Sequence, residues 1–440
     1  MAKDEVGARS PQDAPPGRYA YLVVGTLAVA YTCNFLDRQF LSVLAEPVKR
    51  DLHLTDTQLG LLTGLMFALF YTAFGIPVAA LADRTHRVRI IAVACTLWSL
   101  FTAACGFAGS FATLAAARIG VGVGEAGGSP PSYSIISDYF PPHRRGRALA
   151  LYSLGVPFGS LFGAASGGWI AAHFGWRVAF KTLGAFGLLL APLLLLVVRE
   201  PRRGRLDPPG AMTGPRASVA SAILVFVRKP ALGFTALSAG LTAFIGYALL
   251  NWTPAFLMRE KGMTLIQIAV WYSTVSGLTT AAGTWLAGWL VDRLGAVRPA
   301  AYALTPGICV LLALPFLPAM TAAHGWQTAL AFVVGPSILI VAYLPAALAV
   351  IQNGVEPSQR AVAGSILLFV LNLIGLGGGP LFVGAISDHL KPQFGEHTLG
   401  HALLWLSPFY VLAFLCQLAA AWFLERDHAE RRALRPQSAV

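Results

Sequence analysis

The sequence predicts an all-α membrane protein of twelve spanning helices, built as two six-helix bundles related by a pseudo-twofold axis. Three observations predict it. Of the 440 residues 56% are hydrophobic and only 12% are charged, whereas a soluble domain is nearer half apolar and about one quarter charged. The apolar residues gather into runs near the roughly 20 residues that a helix needs to cross a bilayer. The second half of the chain also repeats features of the first at a constant offset of 209 residues. The charge deficit excludes an ordinary cytosolic enzyme, a disordered chain and a nucleic-acid binder, despite a net charge of +12.

Residues 1–18 are polar, carry Pro11, Pro15 and Pro16, and read as a cytoplasmic tail. The first apolar run is too long for a signal-peptide core and no small-residue cleavage site follows it, so it reads as a retained span. Spans 1 to 12 are expected at 19–44, 57–82, 88–108, 111–138, 146–172, 176–198, 230–257, 264–291, 299–318, 326–350, 360–387 and 400–424. They lack the alternation of barrel strands and most far exceed a strand of about ten residues. Helices remain as the way to satisfy the backbone in lipid. The polar stretch Arg199–Lys229 divides the chain into an N-terminal bundle (19–198), a central loop (199–229), a C-terminal bundle (230–424) and a tail (425–440). Cys33, Cys95, Cys105, Cys309 and Cys416 lie inside apolar runs without metal or disulfide spacing.

Of the 32 Lys and Arg, 23 fall on the even-numbered loops and the two ends, and 7 on the odd-numbered loops and their flanks. That bias puts both termini in the cytoplasm. The basic surplus is therefore a topology signal that also suits anionic lipid headgroups. Abundant Arg and Ala suggest a bacterial plasma membrane. Two basic residues are left over inside spans, Arg38 and Arg118.

The offset pairs Thr55 with Thr264, Gln58 with Gln267, Asp83 with Asp292, Arg84 with Arg293 and Arg89 with Arg298. Six-helix halves repeated in parallel are similar to the major facilitator architecture, whose substrate site lies between the halves. The loop "GWLVDRLG" (Gly288–Gly295) resembles that superfamily's signature G-x-L-x-D-R-x-G. The first-half copy, "AALADRTH", keeps Asp83 and Arg84 but has Ala79 and His86 in place of the glycines. The resemblance implies a gating latch on the cytoplasmic side, made by Asp83, Arg84, Asp292 and Arg293 with Arg144, Arg145 and Arg147 as partners. An ordinary turn with a surface ion pair is the competing reading.

A charge at mid-membrane costs about 2.5–3.5 kcal/mol on insertion scales. The deep charges are Asp37 and Arg38 in span 1 and Arg118 and Glu125 in span 4, all in the first half, with Asp138 at the membrane interface. Arg118 and Glu125 are seven residues apart and share one helix face with Ser132, because seven steps of about 100° nearly close a circle. Gly120, Gly122, Gly124, Gly127 and Gly128 let another helix approach the rest of span 4. Asp37 and Arg38 point in different directions, so one is expected to reach span 4 while the other faces the central cavity. Burial opposes and a neighbouring guanidinium favours a charged carboxylate. A proton on Asp37 would free an arginine, and arginine holds phosphate or carboxylate through two parallel hydrogen bonds. A permanently paired structural cluster is the alternative.

The segments "NFLDRQFLSVL" (Asn34–Leu44), "LTDTQLGLLTG" (Leu54–Gly64), the long run Arg118–Ser160 and "GWRVAF" (Gly175–Phe180) resemble the Spinster family of the major facilitator superfamily, strongly over residues 19–200 and collinearly beyond. The resemblance implies transport of lysophospholipids, sphingosine-1-phosphate or similar amphiphiles. It implies Asp37 as the protonation-sensitive acid, Glu125 as a second acid and Arg38 as the headgroup-binding cation. The Asp-Arg pair with a downstream "GEAG" also occurs in organic-anion symporters, so a proton-coupled symporter of small organic acids stays open.

In the second half Pro254 is expected to break span 7. Tyr247 and Asn251, and Asn372 beside Gly375–Gly379, are candidate substrate contacts with Arg118. Trp252 reads as an interfacial anchor. The chain has no HExxH, GxSxG or nucleotide-binding loop, so neither an enzyme nor an ATP-driven pump is expected. No cofactor is expected beyond a coupling proton. The expected partners are the bilayer and an amphiphilic anion, with the protein acting as a monomer.

Overall fold

The computed structural model describes residues 17–82, 84–206, 219–295, 298, 300–356 and 359–433, and no strand occurs among them. Among the described residues, ten helices are long and apolar enough to cross a membrane: Arg18–Val43, Asp56–Ala82, Arg87–Cys105, Arg144–Phe174, Trp176–Val197, Pro230–Arg259, Ala301–Ala322, Trp326–Gly354, Val362–Phe394 and Thr398–Glu430. They correspond to spans 1–3, 5–7 and 9–12. The other two expected spans are helical but fall short of that standard. Span 4 is split into Phe111–Glu125 and Ser129–Tyr139 by a turn at the glycines. Span 8 runs from Leu265 to Gly295, and its Ser, Thr and Gly content dilutes its hydropathy.

The two halves pack alike. Span 1 lies on span 5, span 3 on span 6 and span 2 on span 4; correspondingly span 7 lies on span 11, span 9 on span 12 and span 8 on span 10. Thr55 and Thr264, related by the repeat, each cap a helix. In both, the threonine hydroxyl accepts from the backbone N–H three residues on, and the Gln58 or Gln267 side chain accepts from the threonine N–H. Such reciprocal caps satisfy two otherwise orphaned donors. A π-helical turn follows each cap, at Leu61–Leu65 and Ile268–Tyr272.

The halves meet along spans 2 and 11, along spans 5 and 8, and along spans 1 and 7. The first two seams are exchanged by a pseudo-twofold and the third is its own counterpart. At that third seam the Ser42 hydroxyl donates to Asn251 Oδ1 at 2.6 Å, and the two residues are 209 apart. A residue touching its own symmetry equivalent lies on the axis. Glycine makes the first seam close: a Cβ on Gly60 would stand 2.5 Å from the Pro380 carbonyl oxygen.

Two expectations are corrected here. Pro254 lies within the continuous helix Pro230–Arg259; the helix continues through it instead of breaking. The expected central loop contains a helix, Val219–Arg228. Its Val225 and Phe226 pack beside Leu232 at the start of span 7, while Leu224 and Val227 are exposed. Polar flanks had masked this short apolar segment.

Candidate functional site

The four deep charges form two ion pairs across spans 1 and 4. Arg118 Nη1 donates to Asp37 Oδ2 at 3.2 Å. Arg38 donates to Glu125 Oε2 from Nε at 2.9 Å and from Nη2 at 2.8 Å. Both adjacent side chains of span 1 thus reach span 4, which corrects the expectation that only one does. Asp37, Arg118 and Glu125 are each 1% exposed, whereas the Arg38 side chain keeps 15%. Arg38 is therefore the most exposed member of the quartet.

The local sequence fixes this arrangement. A Cβ on Gly124 would come within 2.6 Å of the Trp98 backbone nitrogen, and one on Gly120 within 2.3 Å of the Phe101 ring. The glycine face of span 4 therefore beds directly on span 3, as the small-residue pattern predicts, and the charged face is left toward span 1. Phe67 lies under both cations, 4.7 Å from the Arg38 guanidinium carbon and 5.4 Å from that of Arg118. Phe35 and Tyr71 flank Arg38 at 4.8 and 5.0 Å. A guanidinium on aromatic faces is stabilised without consuming its hydrogen-bond donors. Asp37 Oδ1, Glu125 Oε1 and Arg118 Nε have no hydrogen-bond partner among the described residues. Each carboxylate so keeps one oxygen without a hydrogen bond. Ser132, expected on the same stripe, lies beyond the break in span 4 and donates to the Gly128 carbonyl instead.

A cavity of about 210 Å³ lies near this quartet, although none of the four charged side chains lines it. Its wall is mainly from spans 7 to 10, through Leu250, Tyr272, Met320 and Val333, and Phe35 of span 1 and Tyr247 of span 7 also line it. Phe35 links the two features, since it lines the cavity and stacks on Arg38. Among the second-half candidates Tyr247 lines the cavity, and Asn251 and Asn372 do not. Asn251 is buried, accepts from Ser42 and donates to the Tyr247 carbonyl; its amide is occupied in holding the halves. Asn372 is half-buried in the π-helical segment Leu371–Gly378, away from the cavity. Trp252 is not an interfacial anchor: it is 2% exposed and donates to the Pro380 carbonyl at 2.8 Å.

The face opposite the termini is latched by charges that the sequence did not single out. Arg259, at the end of span 7, donates to both oxygens of Asp56 at 2.8 and 2.9 Å and also to Glu46. Lys49 adds a second cation on Asp56 at 2.5 Å, and the Ser387 hydroxyl donates to it at 2.7 Å. Asp388 in turn accepts from the backbone N–H groups of Asp56 and Thr57 at 3.0 and 2.7 Å, where a carboxylate complements the positive end of a helix. Through Arg259 these ion pairs join the two halves.

On the termini face, Asp83 and the side chain of Asp292 lie outside the described residues. Arg84 and Arg147 are exposed, and Arg144 is half-buried. Arg145 donates to the carbonyls of Ser137 and Phe140, both at 3.0 Å and both in its own half. Arg293 stacks on Trp289 of its own helix. The first-half loop is organised by residues the sequence reading passed over. Buried Arg87 donates to Ser134, Asp138, Glu200 and the Pro201 carbonyl. Arg203 donates to the carbonyls of Ala82 and Thr85.

Comparison with known proteins agrees with this fold. The model of the Major Facilitator Superfamily matches residues 27–378. An MFS-type efflux pump of Mycolicibacterium smegmatis is 38% identical, with 94% of this chain and 95% of that protein covered. The sphingosine-1-phosphate transporter SPNS2 of Danio rerio is 27% identical over 96% of this chain and 89% of its own. The hexuronate transporter of Bacillus subtilis is 28% identical over 89% and 94%. A crystal structure of a bacterial homolog of the human lysosomal transporter Spinster, inward-facing and unoccupied, superposes with a TM-score of 0.86 at 33% identity, covering 94% of this chain and 99% of that one. The chain belongs to the major facilitator superfamily and is, within it, a Spinster-like membrane transporter.

Proposed function

We propose that the protein is a proton-coupled secondary transporter of an amphiphilic anion of the lysolipid or sphingosine-phosphate kind, working by rocker-type alternating access. One observation carries the reading: Arg38, the partly exposed member of a double ion pair, stacks on Phe35, which lines a cavity with mainly apolar walls. An anionic headgroup displaces Glu125 from the guanidinium, since phosphate and carboxylate both accept two parallel hydrogen bonds from it. The body of the amphiphile then enters the cavity, where burial of its apolar surface is favourable by about 25 cal/mol per Å².

A carboxylate displaced from its cation in a buried site is costly, and a proton removes that cost. Because Arg38 pairs with Glu125, the proton that frees Arg38 belongs on Glu125. Asp37 holds Arg118 next to that pair and makes the second acid of the network. The protein acts as a monomer in a bacterial plasma membrane with both termini cytoplasmic. It needs no cofactor besides the coupling proton and catalyses no reaction. With that orientation the Arg259 latch closes the outer face.

The test is transport in proteoliposomes under an imposed pH gradient. A lysophospholipid or sphingosine phosphate is expected to move in response to the gradient, and Glu125→Gln and Asp37→Asn to abolish that response. An unchanged pH response in both variants removes the proton switch. Gradient-driven movement of a hexuronate but of no lysolipid would replace the amphiphile by a small organic anion.

A further inference from the structure

The cavity beside Arg38 is apolar in area but not in chemistry. Five aliphatic hydroxyls line it: Ser160 of span 5, Thr253 of span 7, Ser276 and Thr280 of span 8, and Ser337 of span 10. Helical Ser and Thr in an apolar setting usually donate to the carbonyl four residues back, which satisfies them at no cost to packing. Span 8 shows both behaviours on one helix. Thr274, Thr279 and Thr284 make that bond at 2.6, 2.6 and 2.8 Å. Thr280, on the cavity side, does not, and neither do Ser160, Thr253 or Ser337. Thr253 is only 3% exposed, so little bulk solvent reaches it. Ser276 sits beside the Tyr272 hydroxyl.

We infer that the cavity selects amphiphiles whose body carries hydrogen-bonding groups, such as ether, hydroxyl or amide functions, over those with a plain alkyl chain. The inference deepens the proposed function and rests on the cavity being the ligand's site. Buried polar groups left unpaired are unfavourable, and a saturated chain filling this cavity would leave four hydroxyls in that condition. A body with acceptors at intervals satisfies them from three helices of the second half and one of the first. Thr253, Thr280 and Ser337 then determine specificity along the ligand, while Arg38 reads its head.

The test compares dodecyl phosphate with an oligoethylene-glycol alkyl phosphate of equal length, by competition binding to the purified full-length protein. A purely apolar cavity favours the dodecyl chain by at least about tenfold, since each ether oxygen must shed water without a partner. The inference predicts that the oligoether phosphate binds as tightly or more tightly. It also predicts that Thr280→Val combined with Ser337→Ala shifts the ratio by roughly tenfold toward the dodecyl chain. A tenfold preference of the wild-type protein for dodecyl phosphate, unaltered in that variant, overturns it. The uncharged pair, dodecanol and the matching oligoether alcohol, separates the two proposals. If the alcohols bind as well as the phosphates and show the same tail preference, the anion reading fails and the hydroxyl reading stands.

Discussion

Replacing Arg259 by methionine tests the latch on the face opposite the termini. The substitution keeps the bulk of the side chain and removes its charge. Arg259, Glu46 and Asp56 are all nearly buried, with side-chain exposures of 6%, 6% and 3%. Stripping one partner from a buried pair costs about 3–5 kcal/mol. Asp56 retains Lys49 and Ser387, so the lower end applies. About 3 kcal/mol is a factor of roughly 150 in an equilibrium constant. The loss falls on the latched state alone, because water solvates both carboxylates once the halves part. Spin labels at Arg50 and Lys391, which are exposed on that face in opposite halves, report the separation by pulsed dipolar spectroscopy. A longer second distance, weak or absent in the parent protein, is expected to become prominent. An unchanged distance distribution refutes the latch, whatever happens to thermal stability.

Other outcomes follow from the same geometry. Asp37→Asn leaves Arg118 buried without its counter-charge, so the melting temperature should drop along with the response of transport to pH; a stable, pH-responsive variant contradicts both roles. Gly124→Ala drives a methyl group into the Trp98 backbone, which should separate spans 3 and 4 and lower stability by about 1–3 kcal/mol as overpacking does. A neutral effect in a denaturation series would show that span 4 can shift freely. Ser42→Ala removes the hydrogen bond on the pseudo-twofold axis and leaves Asn251 one donor short; a change of about 1 kcal/mol in stability is expected. Alanine at position 42 with wild-type stability and transport would show that the axis contact is dispensable.

The scaffold was largely legible because membranes constrain sequences strongly. Apolar runs and the constant offset that pairs Thr55 with Thr264 are sequence signals, and each has a structural counterpart. The ion quartet was legible for a related reason: a charge inside a span is too costly to be incidental. Its pairing was not, since Asp37 and Arg38 are adjacent and only the depth of span 4 decides which acid meets which arginine. The Arg259 latch left no such mark. Glu46, Asp56 and Arg259 sit at span ends, where charge is ordinary, and the partners are more than 200 residues apart. Asn251 shows the opposite failure. A polar residue in a transporter helix suggests a ligand, but here its partner is the equivalent position of the other half.

Proton uptake on ligand binding tests the central claim most directly. In weakly buffered solution the number of protons taken up per sphingosine phosphate or lysophosphatidic acid bound is measured by a pH indicator alongside calorimetry. A headgroup that takes Arg38 from Glu125 predicts uptake approaching one proton per ligand in the wild-type protein and none in Glu125→Gln. Tight binding with no proton exchanged by the wild-type protein, or with the same exchange in Glu125→Gln, would contradict the claim.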